Sequence, residues 1–319
     1  MPTELIINRV PESTNNSLRA WSAADELLVS FMEEKNPESV IIYNDAFGYL
    51  AAHSAPRTIY FASDLKSQEK AALENFATNK IDAVCLHPTS LLKKADKKGK
   101  LGLMKIPKSM GLFEMFLSHS AQNMYKTGTL ACGFMTRNFT KQILEIAGEY
   151  FEEVEQSLSK KKARLLILSK PKNVDKKAFL NTISFNNEET KQYFGVFSSK
   201  HIDYATQFLI ENLEPPEQVE TVLDLASGNG ILAKEVHKQF PDAEYHLIDD
   251  SQLAVESSKL NLEGEKIHFY HNNNLEDIAS NSMDYIVSNP PFHVEFEIDI
   301  SLPLRLFRAA EKKLKPEGK

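Results

Sequence analysis

Short apolar runs alternate with amphipathic stretches along most of the chain. In VETVLDLASGNG (219–230) an apolar strand ends in a glycine-containing turn, and ILAKEVHKQF follows with helical spacing. EYHLIDDS reads as a second strand ending in acids, QLAVESSKLNL as a second helix, KIHFYHNNN as a third strand and MDYIVSNPPF as a fourth. Strands separated by helices predict a parallel sheet with helices on both faces, and in such sheets ligands sit beyond the carboxyl ends of the strands.

The first half repeats the plan. VIIYNDAFG (40–48) superposes without a gap on VLDLASGNG (222–230), TIYFASDLKSQEKAALENF (58–76) resembles EYHLIDDSQLAVESSKLNL (244–262), and DAVCLHPTS (82–90) resembles DYIVSNPPF (284–292). A helix precedes each first strand. This predicts an internal duplication. On this alignment Gly48 matches Gly230, while Ala46 replaces Gly228, Ile42 replaces Asp224, Ser63 replaces Asp249 and His87 replaces Asn289. The first copy is expected to keep the frame and lose the polar site groups. GLFEMFLSHSAQNMY, TLACGFMT, TKQILEIAGEYFEEVEQSL and ARLLILSKP then read as helix, strand, helix and strand. They complete a first α/β domain over residues 1–170. Residues 171–192 are polar and suit a linker or a short surface hairpin, leaving 193–319 as the second domain.

The charge is divided unevenly. Residues 1–190 hold 25 Lys and Arg against 22 Asp and Glu, a balance of +3, and residues 191–319 hold 12 against 22, a balance of −10. Two basic clusters, KKADKKGK (93–100) and SKKKAR (159–164), lie in the first half. They are either solvated loops or the places where a nucleic acid would touch. Cys85 and Cys132 form neither a metal-ligand pattern nor a disulfide framework, which points to a reducing cytosol. The N-terminus lacks the charged and apolar regions of a secretion signal, and no apolar run approaches the ~20 residues of a membrane span.

A glycine at a strand-to-helix turn lets a ligand approach the backbone and aims helix amides at it. DLASGNG is neither GxGxxG nor a P-loop, which disfavours a nucleotide-phosphate site. Asp249 and Asp250 end the next strand. A carboxylate there can accept both hydroxyls of a ribose, and it can equally cap the helix that follows. Asn272 to Asn274 could meet an adenine edge or simply make a turn. In SNPPF (288–292) two prolines fix φ twice and remove two N–H donors. They also hold Asn289 and Pro290 extended. One reading is a rigid strand terminator. The other is a corner whose acceptors, Oδ1 of Asn289 and the carbonyl of Pro290, take the two hydrogens of a planar amine while Phe292 lies flat on the ring that carries it. Positioning then supplies most of the rate, without a general base.

VLDLASGNG, LIDDS and SNPPF in this order resemble the class I S-adenosylmethionine-dependent methyltransferases that act on exocyclic amines. FGVFSSKHIDYATQFLIENL resembles the segment ahead of the glycine motif in ribosomal RNA guanine-N2 methyltransferases. LRAWSAADELL and NDAFGYL resemble the N-terminal domain of that family's large-subunit branch. The resemblance spans almost the whole chain. It implies two tandem Rossmann-like methyltransferase-type α/β domains, the N-terminal one degenerate and serving RNA binding or structure, the C-terminal one catalytic. It implies S-adenosylmethionine as cofactor, ribosomal RNA or a ribosomal subunit precursor as partner (large-subunit RNA first), a cytoplasmic setting, and neither metal nor membrane. Carried over by position, Gly228 and Gly230 flank the methionine moiety, with Ala226 and Ser227 in the same turn. Asp224 supports that turn, Asp249 takes the ribose hydroxyls and Asn273 meets the adenine. Asn289, Pro290 and Phe292 hold the guanine, and His293 follows them without an assigned role. Ala226 stands where relatives usually carry glycine. Relatives continue beyond KLKPEGK into two further strands and a helix. The catalytic domain is therefore expected to be truncated after the strand that carries Asn289 and the helix behind it, leaving that strand at the sheet edge. Rival readings are the small-subunit (16S) activity of the same family, a non-enzymatic RNA-binding or ribosome-assembly protein derived from a methyltransferase, and methylation of another planar amine.

Overall fold

The computed structural model describes residues 5–12, 18–93, 99–174, 177–199, 201–290, 293–294, 297–298 and 301–319. The chain forms two compact units, Met1–Lys177 and Ala178–Lys319.

The first unit runs α1 (Ala23–Lys35), β1 (Ser39–Tyr43), α2 (Tyr49–Ser54), β2 (Thr58–Ala62), α3 (Lys66–Thr78), β3 (Leu86–Pro88), β4 (Gly99–Lys105), α4 (Met110–Asn123), β5 (Met124–Met135), α5 (Lys141–Tyr150), β6 (Phe151–Gln156) and β7 (Ala163–Pro171). Its seven strands are ordered β3-β2-β1-β4-β5-β7-β6. β1 to β5 are parallel, and β7 pairs antiparallel with both β5 and β6. Val40, Ile42, Ile59, Phe61, Leu101 and Leu103 from the sheet meet Leu28, Met32, Leu50 and Phe76 from the helices in one core.

The second unit runs β8 (Leu180–Phe185), β9 (Glu188–Tyr193), α6 (Tyr204–Glu211), β10 (Thr221–Leu225), α7 (Ile231–His237), β11 (Glu244–Asp249), α8 (Gln252–Ser258), β12 (Ile267–His271), β13 (Tyr285–Ser288), the short pair β14 (His293–Val294) and β15 (Glu297–Ile298), and α9 (Ser301–Glu311). Four parallel strands are ordered β12-β11-β10-β13. One face packs Val222, Tyr245, Leu247 and Val287 against Leu232 and Val236; the other sets Leu223, Leu225 and Ile248 under Leu275, Ile278 and Ala310. Among the described residues the strand that leads to Asn289 lies at the sheet edge. Lys319 meets that edge, donating its N–H to Asp284 O at 3.0 Å and accepting from Ile286 N at 2.9 Å.

The structure corrects the sequence reading at three places. Residues 171–192 take the hairpin alternative rather than the linker one, which moves the start of the second domain from 193 back to Ala178. Their greater part is the β8–β9 hairpin, which belongs to the second unit because β9 is bonded to α8 and the turn after it: Tyr193 N donates to Ser257 Oγ (2.9 Å) and Lys191 N to Asn261 Oδ1 (2.8 Å). The helix expected to run to residue 158 ends at Tyr150. FEEVEQ is instead the edge strand β6, because the backbone groups of β7 take it as a partner and its glutamates can stay in water.

The third correction concerns the duplication. β3, which carries His87, pairs with β2 and therefore corresponds to β12. The strand that pairs with β1 as β13 pairs with β10 is β4: Tyr43 faces Met104 as Leu225 faces Ser288. The residue in the place of Asn289 is thus Lys105, not His87. Elsewhere the equivalence holds at the backbone. Asn44 and Ala226 are both left-handed (φ 56° and 58°), as are Gly48 and Gly230 (φ 74° and 78°). Asp224 Oδ2 accepts from Ala233 N at 3.0 Å, and Asp45 Oδ2 accepts from the equivalent Ala51 N at 2.8 Å. The acid lost at Ile42 has reappeared three residues later on the same helix amide.

A Cβ on Gly48 would collide with the Cα of Ala72 and stand 2.8 Å from its Cβ, whereas one on Gly230 would meet Ser258 Oγ at 3.1 Å. Both residues are left-handed, so both alanine variants carry that strain, about 1–2 kcal/mol. The collision with α3 adds to it in the first unit alone. Gly48→Ala is expected to cost roughly 2–4 kcal/mol in urea unfolding and to exceed Gly230→Ala; the reverse order would show that α3 yields freely.

Candidate active site

The turn between β10 and α7 is built from residues with separate duties. Asp224, on the last pleat of β10, is buried. Its Oδ2 holds the first turn of α7 through Ala233 N, and its Oδ1 has no partner. Burial pushes this carboxyl up to about 7, against the pull of the Ala233 amide. Ala226 takes the left-handed conformation that favours glycine, and the chain carries that strain. Ser227 N donates to Ile248 O at 3.1 Å, binding the turn to β11, while Ser227 Oγ is buried without a partner. Gly228 is left-handed, and a Cβ there would meet nothing within 4 Å. The backbone at Gly228 thus borders open space.

Asp249 ends β11. Its Oδ2 accepts from Gly228 N at 2.9 Å and its Oδ1 from Ser251 N at 2.8 Å, so it fixes the glycine turn and opens α8 together. Burial raises its carboxyl to about 6, and the two amides oppose the rise. The cap of α8 is Ser251, whose Oγ accepts from Ala254 N at 3.0 Å, so Asp249 is not the cap itself: it holds the N–H of the cap residue and stands against the glycine turn. Asn273, just beyond β12, keeps a buried Oδ1 without a partner. Among the described residues five buried side-chain polar atoms lack partners, and three of them are Asp224 Oδ1, Ser227 Oγ and Asn273 Oδ1, all at the carboxyl end of this one sheet.

Asn289 follows β13 directly and is brought beside the turn by the pairing of Ser288 with Leu225, reinforced by Ser288 Oγ donating to Leu225 O at 2.6 Å. It is half-buried, and Pro290 is buried. Asn289 Nδ2 donates to Thr206 Oγ1 at 2.8 Å and to Asp203 Oδ2 at 3.2 Å. Phe292 lies outside the described residues, as does the side chain of His293. Thus Asp224, Ala226, Ser227, Gly228, Gly230, Asp249, Asn273, Asn289 and Pro290 all occupy one rim of one sheet.

Two groups of residues escaped the sequence reading. Asp203, the N-cap of α6, and Thr206 are separated from Asn289 by 86 and 83 positions. Their only signal was a capping acid before an apolar helix. Gln192 is fully buried and accepts from Asn229 Nδ2 at 2.7 Å, so the β8–β9 hairpin braces the glycine turn.

The RLMG N-terminal domain model matches residues 2–173, and the methyltransferase small domain model matches residues 188–319. Ribosomal RNA large subunit methyltransferase G of Aeromonas salmonicida is 30% identical over 328 residues, covering 98% of this chain and 86% of that protein. The chain belongs to this methyltransferase G family. The family's protein from Pseudoalteromonas translucida is 27% identical over 327 residues, covering 98% of this chain and 85% of its own length. Among solved structures, the T. thermophilus 16S rRNA N2 G1207 methyltransferase RsmC has a TM-score of 0.76 at 19% identity, covering 96% of this chain and 84% of that one. This is a likeness of fold, and it extends over both units of the family architecture.

The raised carboxyl of Asp224 has a consequence for stability. An unfolded aspartate titrates at about 3.9, so the folded state binds this proton more tightly, and stability falls as pH rises from there to about 7. Asp224→Asn is isosteric and stays neutral. It is expected to raise the urea midpoint of the second unit over the parent at pH 8 and to leave it nearly unchanged at pH 5. Equal effects at the two pH values would mean that Asp224 does not titrate in this window.

Proposed function

We propose that this chain methylates the exocyclic N2 amine of a guanine in ribosomal RNA, that the RNA is that of the large subunit, and that S-adenosylmethionine is the methyl donor. The observation that carries the reading is the set of buried, partnerless oxygens on Asp224, Ser227 and Asn273 around a glycine backbone that borders open space, with Asn289 on the adjoining strand end. Relatives over nearly the full length are named large subunit methyltransferase G, and the fold neighbour RsmC was solved with AdoMet and guanosine.

These residues fit the cofactor. Donors on an adenosine and an amino acid would satisfy the stranded acceptors, and a methyl side chain at position 228 would take up the space they need. Asp249 would accept the ribose hydroxyls, Asn273 the adenine amine, and the backbone of Ser227, Gly228 and Gly230 would line the methionine portion. The unit's excess of acids suits a cationic ligand. When bound, S-adenosylmethionine supplies an electrophilic methyl group. The chain's own part is to hold the amine: Asn289 Oδ1 and the Pro290 carbonyl accept its hydrogens and Phe292 stacks on the base. An alkylated amine of this kind loses its proton readily to water, so the arrangement works without a general base.

The first unit supports the RNA contact rather than the chemistry. Lys160, Lys161 and Lys162 are exposed at the tip of the β6–β7 hairpin, where a phosphate backbone could reach them. Lys93 and Lys100 are exposed at the flanks of the other basic cluster, whose centre, 94–98, lies outside the described residues. The reading puts the protein in the cytoplasm with its RNA.

Asn289→Ala is expected to lower kcat by roughly 10²–10³, by analogy with loss of one preorganised polar group, with the Kd for S-adenosylmethionine nearly intact. Asp249→Ala should act in reverse, weakening cofactor binding by about 10- to 100-fold. Isothermal titration and single-turnover methylation separate the two, and equal loss of cofactor affinity in both would refute this division of labour. A guanine N2 amine faces the minor groove, and freeing it from a helix costs a few kcal/mol. Ribosomal RNA stripped of protein should therefore be methylated faster than the assembled subunit in tritium-transfer assays; a faster subunit would mean that proteins present the base.

A further inference from the structure

We propose that Thr206 and Asp203 are positioning residues that determine specificity: they fix the amide of Asn289 so that the site offers substrate an acceptor and never a donor. The inference rests on the amine reading above and deepens it.

An asparagine amide carries two donors on one end and two acceptor sites on the other. Left free, it can present either end to a ligand. Here Nδ2 lies 2.8 Å from Thr206 Oγ1 and 3.2 Å from Asp203 Oδ2. A carboxylate only accepts, so the atom that faces Asp203 has to be the nitrogen. Turning the amide over would set Oδ1 against the carboxylate and forfeit the bond to Asp203; the Thr206 hydroxyl could bond either end, so Asp203 fixes the sense of the amide and Thr206 holds it there. Both N–H groups are consumed, and what remains for a ligand is Oδ1. That suits an amine and opposes an oxo group at the same position, where two acceptors would face each other. A site built to hydrogen-bond one polar group rejects the analogue lacking it by far more than shape alone achieves.

The clamp is rigid for reasons visible in the fold. Asp203 is the N-cap of α6, and the same Oδ2 accepts from Ala205 N at 3.1 Å and Thr206 N at 3.3 Å. Thr206 is only 8% exposed, so water has little access to replace its hydroxyl. The first unit has the same link between the same elements. Asp25, in the first turn of α1, binds Lys105 Nζ at 2.6 Å, and Lys105 ends β4 in the place of Asn289. The helix ahead of the first strand thus grips the end of the fourth strand in both units. The gripped residue decides what is presented: an amide oxygen in one unit, an ammonium without acceptors in the other.

The test uses the full chain, radiolabelled S-adenosylmethionine and ribosomal RNA stripped from a strain lacking this protein. Thr206→Val keeps the side-chain shape and removes the hydroxyl. Its kcat is expected to fall about tenfold, while the urea midpoint and the Kd for S-adenosylmethionine stay at parental values. Thr206→Ser should recover most of the loss. In an Asn289→Ala background Thr206→Val should cost nothing further, because no amide remains to be oriented. Parental kcat in Thr206→Val, or losses that multiply in the double variant, would overturn the clamp while the amine reading stands. Full activity in Asn289→Ala alone would overturn both.

Discussion

The whole molecule turns on how a parallel strand hands over to its helix at residues 224–230. The chain must reverse direction within a few residues, and it does so through left-handed backbone at Ala226, Gly228 and Gly230. A buried carboxylate then pins the new helix from beneath through Ala233 N. Every later feature of the site is placed by that turn. Asp249 reaches it through Gly228 N, the β8–β9 hairpin through Asn229, and Asn289 stands beside it because β13 pairs with β10. The position that buries a charge-bearing group is also the one that leaves Oδ1 of Asp224 without a partner. Such a group costs stability in the free protein, and it becomes favourable when a ligand supplies the missing donor.

The first unit shows which parts of this turn the two units hold in common. It keeps left-handed residues at Asn44 and Gly48, and it keeps an acid on the helix amide, although at Asp45 rather than Ile42. These are the shared parts. Position 46 is alanine, and among the described residues the left-handed conformation of Gly228 has no counterpart there. Asn44 instead bonds Lys105 O through Nδ2 and accepts from Gln68, whose Oε1 accepts from Ser63. Side chains of the unit's own occupy the rim that the second unit leaves to partnerless oxygens. The first copy did not simply lose polar groups; it closed them on one another.

The regular parts of this arrangement were legible in the chain. Strands β10 and β11, the helices after them and the acid at Asp249 follow from apolar spacing and a glycine turn, and those of the named site residues that the structure describes do share one rim. What was not legible has physical causes. The apolar spacing of α5 continues past Tyr150 through Phe151 and Val154, so nothing local marks the point where pairing with β7 takes over from the helix. DAVCLHPTS looks like DYIVSNPPF because both are apolar runs ending at a proline, yet sheet order is decided by which strand finds β1, and that strand is β4. A hydrogen bond across more than eighty residues, such as that from Asn289 to Thr206, leaves no trace in spacing at all.

The comparison of Asn289 with Lys105 carries the division of labour one step further. A guanine amine needs an acceptor with a lone pair aimed at it. The ammonium of Lys105 has three donors and no lone pair, and Asp25 already takes part of its capacity at 2.6 Å. Restoring a glycine at position 46 or an acid at position 63 would therefore not make the first unit a second catalytic centre. The end of its fourth strand presents the wrong polarity to an amine, whatever the state of its glycine turn. A buried acid facing a lysine suits a different role, in which it locks strand to helix and leaves the unit free to carry its basic residues outward. If Asn289 holds the base as proposed, one shared link with one residue exchanged is enough to separate that task from holding a frame.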